Sequence, residues 1–404
     1  GAAMQLPAWG AIIPETVPKA QLPAATRLEV VGVNLARAAG PALAGVVIAR
    51  AGVAEVFYVN AASVVVLAIV LLRWRRPPAG MEGRRERFVP ALRAGGRYVW
   101  HEPVVRRILL RAALFITPAM ALWSLLPLIA SQGLGLGADG YGALFGALGV
   151  GAIVAFLSLG KVRERLSNNA MLGGAHIAYA AALATVVVAP NVVVALASLV
   201  LAGLAWAAMI STLNAELQFF LPQWVRARGL AVHLVTFMGS QAVGALLWGL
   251  VAEGFGLRAA CFLAGALMLA GAAAGVRWPV AETGHLDREP AAYWGEARLA
   301  FDPEPDAGPI LVTVEFIVAP ERQAAFLAAM EHLRRSRLQT GATRWELYRD
   351  GERPNRFVEH FSVPSWGEHL RQHDGRLTAT DRQIEEAALA FSDPPPRAEH
   401  LVPP

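Results

Sequence analysis

One cysteine in 404 residues excludes an internal disulfide and any cysteine-rich metal site. Cys261 lies in an apolar run and reads as a small buried side chain. Charge is scarce as well. Only 17% of residues are Asp, Glu, Lys or Arg, where a soluble globular domain carries about 25%. That shortfall argues against a wholly soluble chain. No GxxxxGK-type loop occurs, so nucleotide hydrolysis has no support. No basic patch is interleaved with aromatics, so nucleic acid is not an expected partner. Nothing like a signal peptide precedes the first apolar run.

What is present is grease. The chain is 55% hydrophobic with a mean hydropathy of +0.43. Apolar runs fill residues 31 to 279, and beyond His285 the composition is that of a soluble domain. A spanning helix needs about 20 mainly apolar residues. Eight runs qualify: 28–48, 53–72, 108–129, 141–159, 171–188, 192–213, 230–251 and 258–276.

The connections alternate in charge. Arginines crowd "RWRRPPAGMEGRRERF" after Leu72; Lys161, Arg163 and Arg165 follow Gly160; Arg226 and Arg228 sit in "LPQWVRARG". The loops between them are short and carry little positive charge. Every second loop is therefore basic and expected in the cytoplasm. The net charge of +5 reads as this topology. Parity puts the C-terminal domain on the same side, in a multi-pass protein of the cell membrane. The Arg-rich stretch 73–103 reads as a cytoplasmic linker, with an interfacial helix over 89–100 and contact with lipid headgroups.

After residue 305 the period changes. "ILVTVEFIVA", "ATRWELYRD", "RFVEHFSV" and "AEHLV" alternate as strands. "PERQAAFLAAMEHLRRSRLQ" is spaced as a helix, as is the segment from Trp366, which Ser365 suits as N-cap. The order is βαββαβ, the ferredoxin-like pattern. The expected fold is an all-α polytopic membrane part, a partial major facilitator fold, with a C-terminal α+β ferredoxin-like domain. Its segments are 1–72, the linker 73–103, a six-helix half at 104–279, a second linker 280–305, and the domain 306–404.

The stretch "GVNLARAAGPALAG", 32–45, combines Asn34 and Arg37 with Gly40, Pro41 and Gly45. Gly32, Ala36, Gly40 and Ala44 fall four apart and give a smooth face for close helix contact. Pro41 permits a bend. Arg37, with Glu29 and Asn34 on nearby faces, reads either as snorkelling to the cytoplasmic end or as facing a cavity. "NLARAAGPALAG" resembles the fifth-helix signature of exporters in the major facilitator superfamily. "GKVRERL" (Gly160, Lys161, Arg163, Arg165) resembles that superfamily's cytoplasmic loop motif in its second-half copy. "PETVPKAQLPAA", "LLPLIASQGLGLGADGYGALFGALGVGAI", "LPQWVRARGLAV" and "SWGEHLRQHDGRLTATD" are similar to the branch of the enterobactin exporter and macrolide efflux proteins, some of which carry such an extension. Family members have twelve spans. The resemblance implies an N-terminal truncation, with Gly1 near the end of the fourth span.

The function this implies is secondary transport: proton-driven efflux of a drug-like or siderophore-like molecule, with lipid, protons and the export substrate as partners and no cofactor. Candidates for proton or substrate handling are Arg111, His176, His233 and Gln241. Arg111 also reads as an interfacial residue, Glu216 as interfacial, and the histidines as packed. Trp123, Phe145, Trp206 and Trp248 either line a drug cavity or face lipid. The C-terminal domain resembles dimeric antibiotic-biosynthesis-type monooxygenases, which implies dimerisation or regulation. An enzyme reading would recruit His360, His369, His373, Trp345 and Trp366. The i, i+4 pair His369 and His373 suits a metal, but no third acidic ligand is placed, so no metal is expected. An inactive transporter fragment is the remaining alternative.

Overall fold

Seven of the apolar runs form helices long and apolar enough to cross a bilayer. The structure is a computed structural model that describes Gly32, Val47 and residues 53–73, 88–281, 291, 294, 299–301 and 303–403. Its helices are α1 (Val53–Arg73), α2 (Phe88–His101), α3 (Pro103–Leu128), α4 (Ala138–Arg163), α5 (Asn168–Val187), α6 (Val192–Phe220), α7 (Gln223–Phe255) and α8 (Leu257–Arg277). All but α2 are the candidate spans. The eighth expected run, 28–48, lies outside the described residues apart from Gly32 and Val47, and with it Asn34, Arg37, Gly40, Pro41 and Gly45.

Two compact units form, and they do not follow chain order. Among the described residues, one gathers Gly32, Val47, 53–73, 111–212 and 237–279; the other gathers 88–110, 213–236 and those from 280 onward. The segmentation read from composition keeps 104–279 together, because composition registers apolar length and not contact.

In the first unit, glycines set the helix spacing. A Cβ on Gly151 of α4 would meet the carbonyl oxygen of Val200, and one on Gly203 of α6 would meet that of Leu148. The two helices thus touch backbone to backbone, the close approach that small residues permit in lipid. On α7, a Cβ at Gly244 would stand 2.5 Å from the Thr117 oxygen of α3. The same oxygen accepts a hydrogen bond of 2.7 Å from Trp248 Nε1. Pro118 and Pro127 lie inside α3. A π-helical turn, Ile129–Gly133, continues it. The outward side chains are aliphatic, as the bilayer requires: Val243, Leu246 and Leu250 on α7, and Val64, Val65 and Leu72 on α1, are exposed.

The second unit holds a four-stranded antiparallel sheet: β1 (Ile310–Ile317), β2 (Arg344–Arg349), β3 (Arg356–Val363) and β4 (Ala398–Leu401), in the order β2-β3-β1-β4. Alternation decides its faces. Ile310, Val312, Val314 and Phe316 of β1 point inward, as do Phe357, Glu359, Phe361 and Val363 of β3. Helix α9 (Gln323–Thr340) lays Phe326, Met330 and Leu333 on that face. Short α10 (Trp366–Arg371) starts at Ser365, whose hydroxyl accepts from the Glu368 amide, and α11 (Ala379–Leu389) starts at a Thr378–Asp381 capping box.

The helix expected at 89–100 is α2, but its partner is protein. Ala94, Tyr98 and Val99 are buried, and α2 packs against α9. Tyr98 meets the Trp224 ring edge-on at 5.7 Å, and a Cβ on Gly95 would lie 2.6 Å from Arg228 Cβ. Gln339 of α9 donates to Glu102 Oε2 at 3.0 Å and to the His101 carbonyl at 3.3 Å. The linker helix, the 224–228 segment and the sheet domain therefore pack together within the second unit.

Candidate functional site

Helix α3 puts Arg111, Phe115 and Ala119 on one face, at i, i+4 and i+8, all buried. Helix α5 answers with Leu172, His176 and Tyr179. Helix α8 contributes two absences of a side chain. A Cβ at Gly271 would stand 3.0 Å from the His176 ring, and one at Gly275 would overlap the Arg111 guanidinium. The glycines, one turn apart, are thus the recess in which the two basic side chains lie.

Hydrogen bonding there is incomplete. His176 Nδ1 lies 2.8 Å from the Leu172 carbonyl oxygen. A carbonyl only accepts, so we assign the ring proton to Nδ1, which leaves Nε2 as a bare acceptor. Among the described residues, His176 Nε2, Arg111 Nε and Arg111 Nη1 have no hydrogen-bond partner. Arg111 is only 3% exposed and His176 0%. A cation and an acceptor buried without partners are costly, and such pairs in spans mark ligand or ion pathways. The interfacial reading of Arg111 gives way: its glycine-lined recess draws it into the helix bundle.

Aromatics continue from this pair. Phe115 packs at 5.1 Å from His176, 5.3 Å from Tyr179 and 6.0 Å from Trp206. Trp206 meets Trp123 at 5.3 Å, and Trp123 meets Phe145 at 5.4 Å. Trp206 and Trp248 are buried, so these indoles pack inside the protein and do not face lipid. His233, buried, and Gln241, half-buried, both stand on α7, while the recess is built by α3, α5 and α8. Gly160, Lys161, Arg163 and Arg165 are all exposed where α4 hands over to α5.

The C-terminal domain carries a second polar centre. Arg337 of α9 is buried and donates to Glu359 Oε1 at 3.2 Å and Glu385 Oε1 at 2.7 Å. Trp345 Nε1 donates to Glu359 at 2.8 Å, and Trp294 Nε1 to Glu385 at 2.6 Å. Burial opposes the Arg337 charge, yet the two carboxylates outweigh it and hold its pKa above the ordinary arginine value. Trp294 belongs to the stretch that composition marks as a linker, and here it is part of the domain.

Beside this centre three imidazoles converge. His369 Nε2 lies 3.2 Å from His373 Nε2, and a ring nitrogen of His400 falls within 4.8 Å of both. His360 does not join them. It sits on β3 between the inward Glu359 and Phe361, so it faces the other way, against Tyr348. His400 is the residue that sequence reasoning missed. It pairs with inward-facing Val312 across β1 and β4, and cross-strand partners share a face, so the strand register carried the signal.

Burial drives the His369 pKa down to about 3 against the opposing hydrogen bond with Gln372. Unfolded, this histidine takes up a proton below about 6.5. Folded, it takes none until about 3, so between these values the unfolded state binds more protons and stability rises with pH. In a chelating buffer, lowering the pH from 6.5 to 5 should destabilise the domain progressively, the slope rising towards a limit of about 1.4 kcal/mol per pH unit from this group alone. Urea unfolding followed by tryptophan fluorescence reads the slope. His369→Gln should flatten it, and equal slopes would reject the assignment.

The transmembrane secretion effector family model matches residues 1–403. The chain belongs to that family. It is a multi-pass membrane protein and a secondary transporter of the major facilitator superfamily. Among solved structures it is similar to a bacterial homolog of the human lysosomal transporter Spinster, in an inward-facing and unoccupied conformation. Identity is 19%, the match covers 66% of this chain and 71% of that chain, and the TM-score is 0.43. No curated protein matches.

Proposed function

We propose that this transporter exports an amphipathic anion, drug-like or siderophore-like, using the proton gradient of the cell membrane. The observation that carries this reading is the recess of Arg111 and His176. It offers two unpaired N–H groups beside one unpaired ring nitrogen in an apolar bundle. A catechol-type phenol–phenolate group fits both at once, its anionic oxygen accepting from Arg111 and its neighbouring hydroxyl donating to His176. The neighbouring Phe115 and the tilted Trp206–Trp123 pair suit an aromatic body. Protonation of His176 would remove the acceptor, which gives the proton a way to compete with substrate.

The basic loops and the C-terminal domain lie in the cytoplasm on this reading, by the positive-inside rule. The βαββαβ order and the strand order β2-β3-β1-β4 support a ferredoxin-like assignment for the domain. Its contacts with α2 and the 224–228 segment favour regulation of transport, alongside dimerisation. The enzyme reading lacks such support, since His360 is on the opposite face from His369 and His373. The glycine–proline motif around Asn34, Arg37, Gly40, Pro41 and Gly45 remains the proposed contact with the first half. The loop of Gly160, Lys161, Arg163 and Arg165 remains the proposed cytoplasmic hinge of the second.

The test is export from cells carrying the gene, with a fluorescent catechol conjugate as probe. Loss of probe should be energy-dependent and stop when a protonophore is added. Arg111→Ala and His176→Ala should each lower the rate at least about tenfold, a loss of about 1.4 kcal/mol, while Arg111→Lys keeps part of it. Export indifferent to the protonophore, or unaltered in Arg111→Ala, would overturn the reading.

A further inference from the structure

We propose that His369, His373 and His400 form a binding site for a divalent transition metal ion, with zinc the natural first probe. The site is independent of the transport reading above. Around a tetrahedral zinc with bonds of about 2.0 to 2.1 Å, neighbouring ligand atoms stand about 3.3 Å apart. His369 Nε2 and His373 Nε2 are at 3.2 Å. Helical spacing explains this, because residues i and i+4 project side by side. The third imidazole comes from β4, whose pairing with β1 brings His400 to the same face. Its ring centroid lies 4.8 Å from that of His369, and its nitrogen needs a shift of about 1.5 Å to complete the tetrahedral edges.

The surroundings complete what a metal site requires. A metal-bound histidine is oriented by a hydrogen bond to its other ring nitrogen. His369 Nδ1 is 3.0 Å from Gln372 Oε1. An amide oxygen only accepts, so Nδ1 carries the proton and Nε2 presents its lone pair. Trp294 packs against His373 at 4.8 Å, and Trp366 against His369 at 5.5 Å, so apolar walls fix the rings. His369 is buried while His373 and His400 are half-buried, which leaves a way in from solvent. Behind Trp294 the two carboxylates Glu359 and Glu385 face the single guanidinium Arg337. Three neutral imidazoles and no thiolate suit zinc, copper(II) or nickel(II) and disfavour magnesium or calcium. The fourth position is left for water or a small anion.

The experiment uses the full chain in detergent, without a polyhistidine tag, stripped with a chelator and titrated with zinc ion alone against a chromophoric competitor. One equivalent should bind at micromolar affinity or tighter and raise the midpoint of thermal unfolding. Cobalt(II) should give the visible absorption of a tetrahedral site. His373→Ala and His400→Ala, at half-buried positions, should each weaken zinc at least tenfold and abolish the thermal shift. Their unliganded melting shows whether they fold. Gln372→Leu, a change to a positioning residue, should weaken zinc about tenfold with the cobalt spectrum altered. His360→Ala should change nothing. Failure of the wild-type chain to take up one equivalent overturns the site. So does uptake that His373→Ala and His400→Ala leave intact.

Discussion

Arg337→Met is expected to destabilise the C-terminal domain by about 3 to 5 kcal/mol. The guanidinium lies between Glu359 and Glu385, and its charge sits 4.9 Å over both Trp294 and Phe361. Removing it strands two carboxylates against the inner face of the sheet. Trp345 and Trp294 donate to those carboxylates and cannot replace a positive charge. A domain of this size holds only about 5 to 15 kcal/mol in total, so the loss takes much of it. Lysine is no rescue, because a single ammonium cannot fork to two carboxylates on different elements. Replacing all three charges should recover most of the loss, since a well-packed apolar triad is often neutral or better. Urea unfolding of the full chain, read by tryptophan fluorescence, gives the numbers. A change below about 1 kcal/mol for Arg337→Met would show that the triad is dispensable.

This triad also shows where sequence reading stops. Phe326, Met330 and Leu333 announce the buried face of α9 through their spacing. Arg337 continues the same stripe one turn on, and a charge there reads as solvated until Glu359 and Glu385 are placed opposite. Glu359 falls on an inward position of β3, between Phe357 and Phe361, and alternation alone flags it as anomalous. Seven membrane spans were legible in place, though not in their ends, which overrun the apolar runs by up to seven residues, because bilayer thickness sets the apolar length and backbone satisfaction forces it helical. The recess was not legible. Arg111 and His176 are visible as polar residues in apolar runs, but Gly271 and Gly275 look like any others in a glycine-rich chain. Only the contact of α8 with α5 shows what they make room for. The same holds for α2, whose expected partner was lipid headgroup and whose buried face meets α9 and Trp224.

Gly151→Val and Gly203→Val are expected to abolish folded protein in the membrane. Each glycine sits where α4 and α6 cross, and each would drive its new side chain into the backbone of the other helix. At Gly203 the Leu148 carbonyl carbon would stand 2.7 Å from the Cβ alone; at Gly151 the Leu204 nitrogen would stand 2.8 Å away. Overpacking usually costs about 1 to 3 kcal/mol, with side chains giving way. Here the opposing atoms are backbone and cannot rotate aside, so whole helices must part and the loss lies at or beyond the top of that range. Even alanine should lower the melting midpoint at these two positions. Helix propensity predicts the opposite, since glycine in a helix interior is worse than alanine by about 0.5 to 1 kcal/mol. Gly173→Ala separates the two effects. It lies within α5 with nothing within 4 Å of a new Cβ, so it should be neutral or stabilising. The double variant Gly151→Ala with Gly203→Ala should cost less than the sum of its parts, because one displacement of α4 from α6 makes room for both methyls. Thermal melts of the detergent-solubilised chain, with size-exclusion profiles, measure all six. Gly203→Ala melting no lower than Gly173→Ala would mean that the two helices do not touch where these glycines place them.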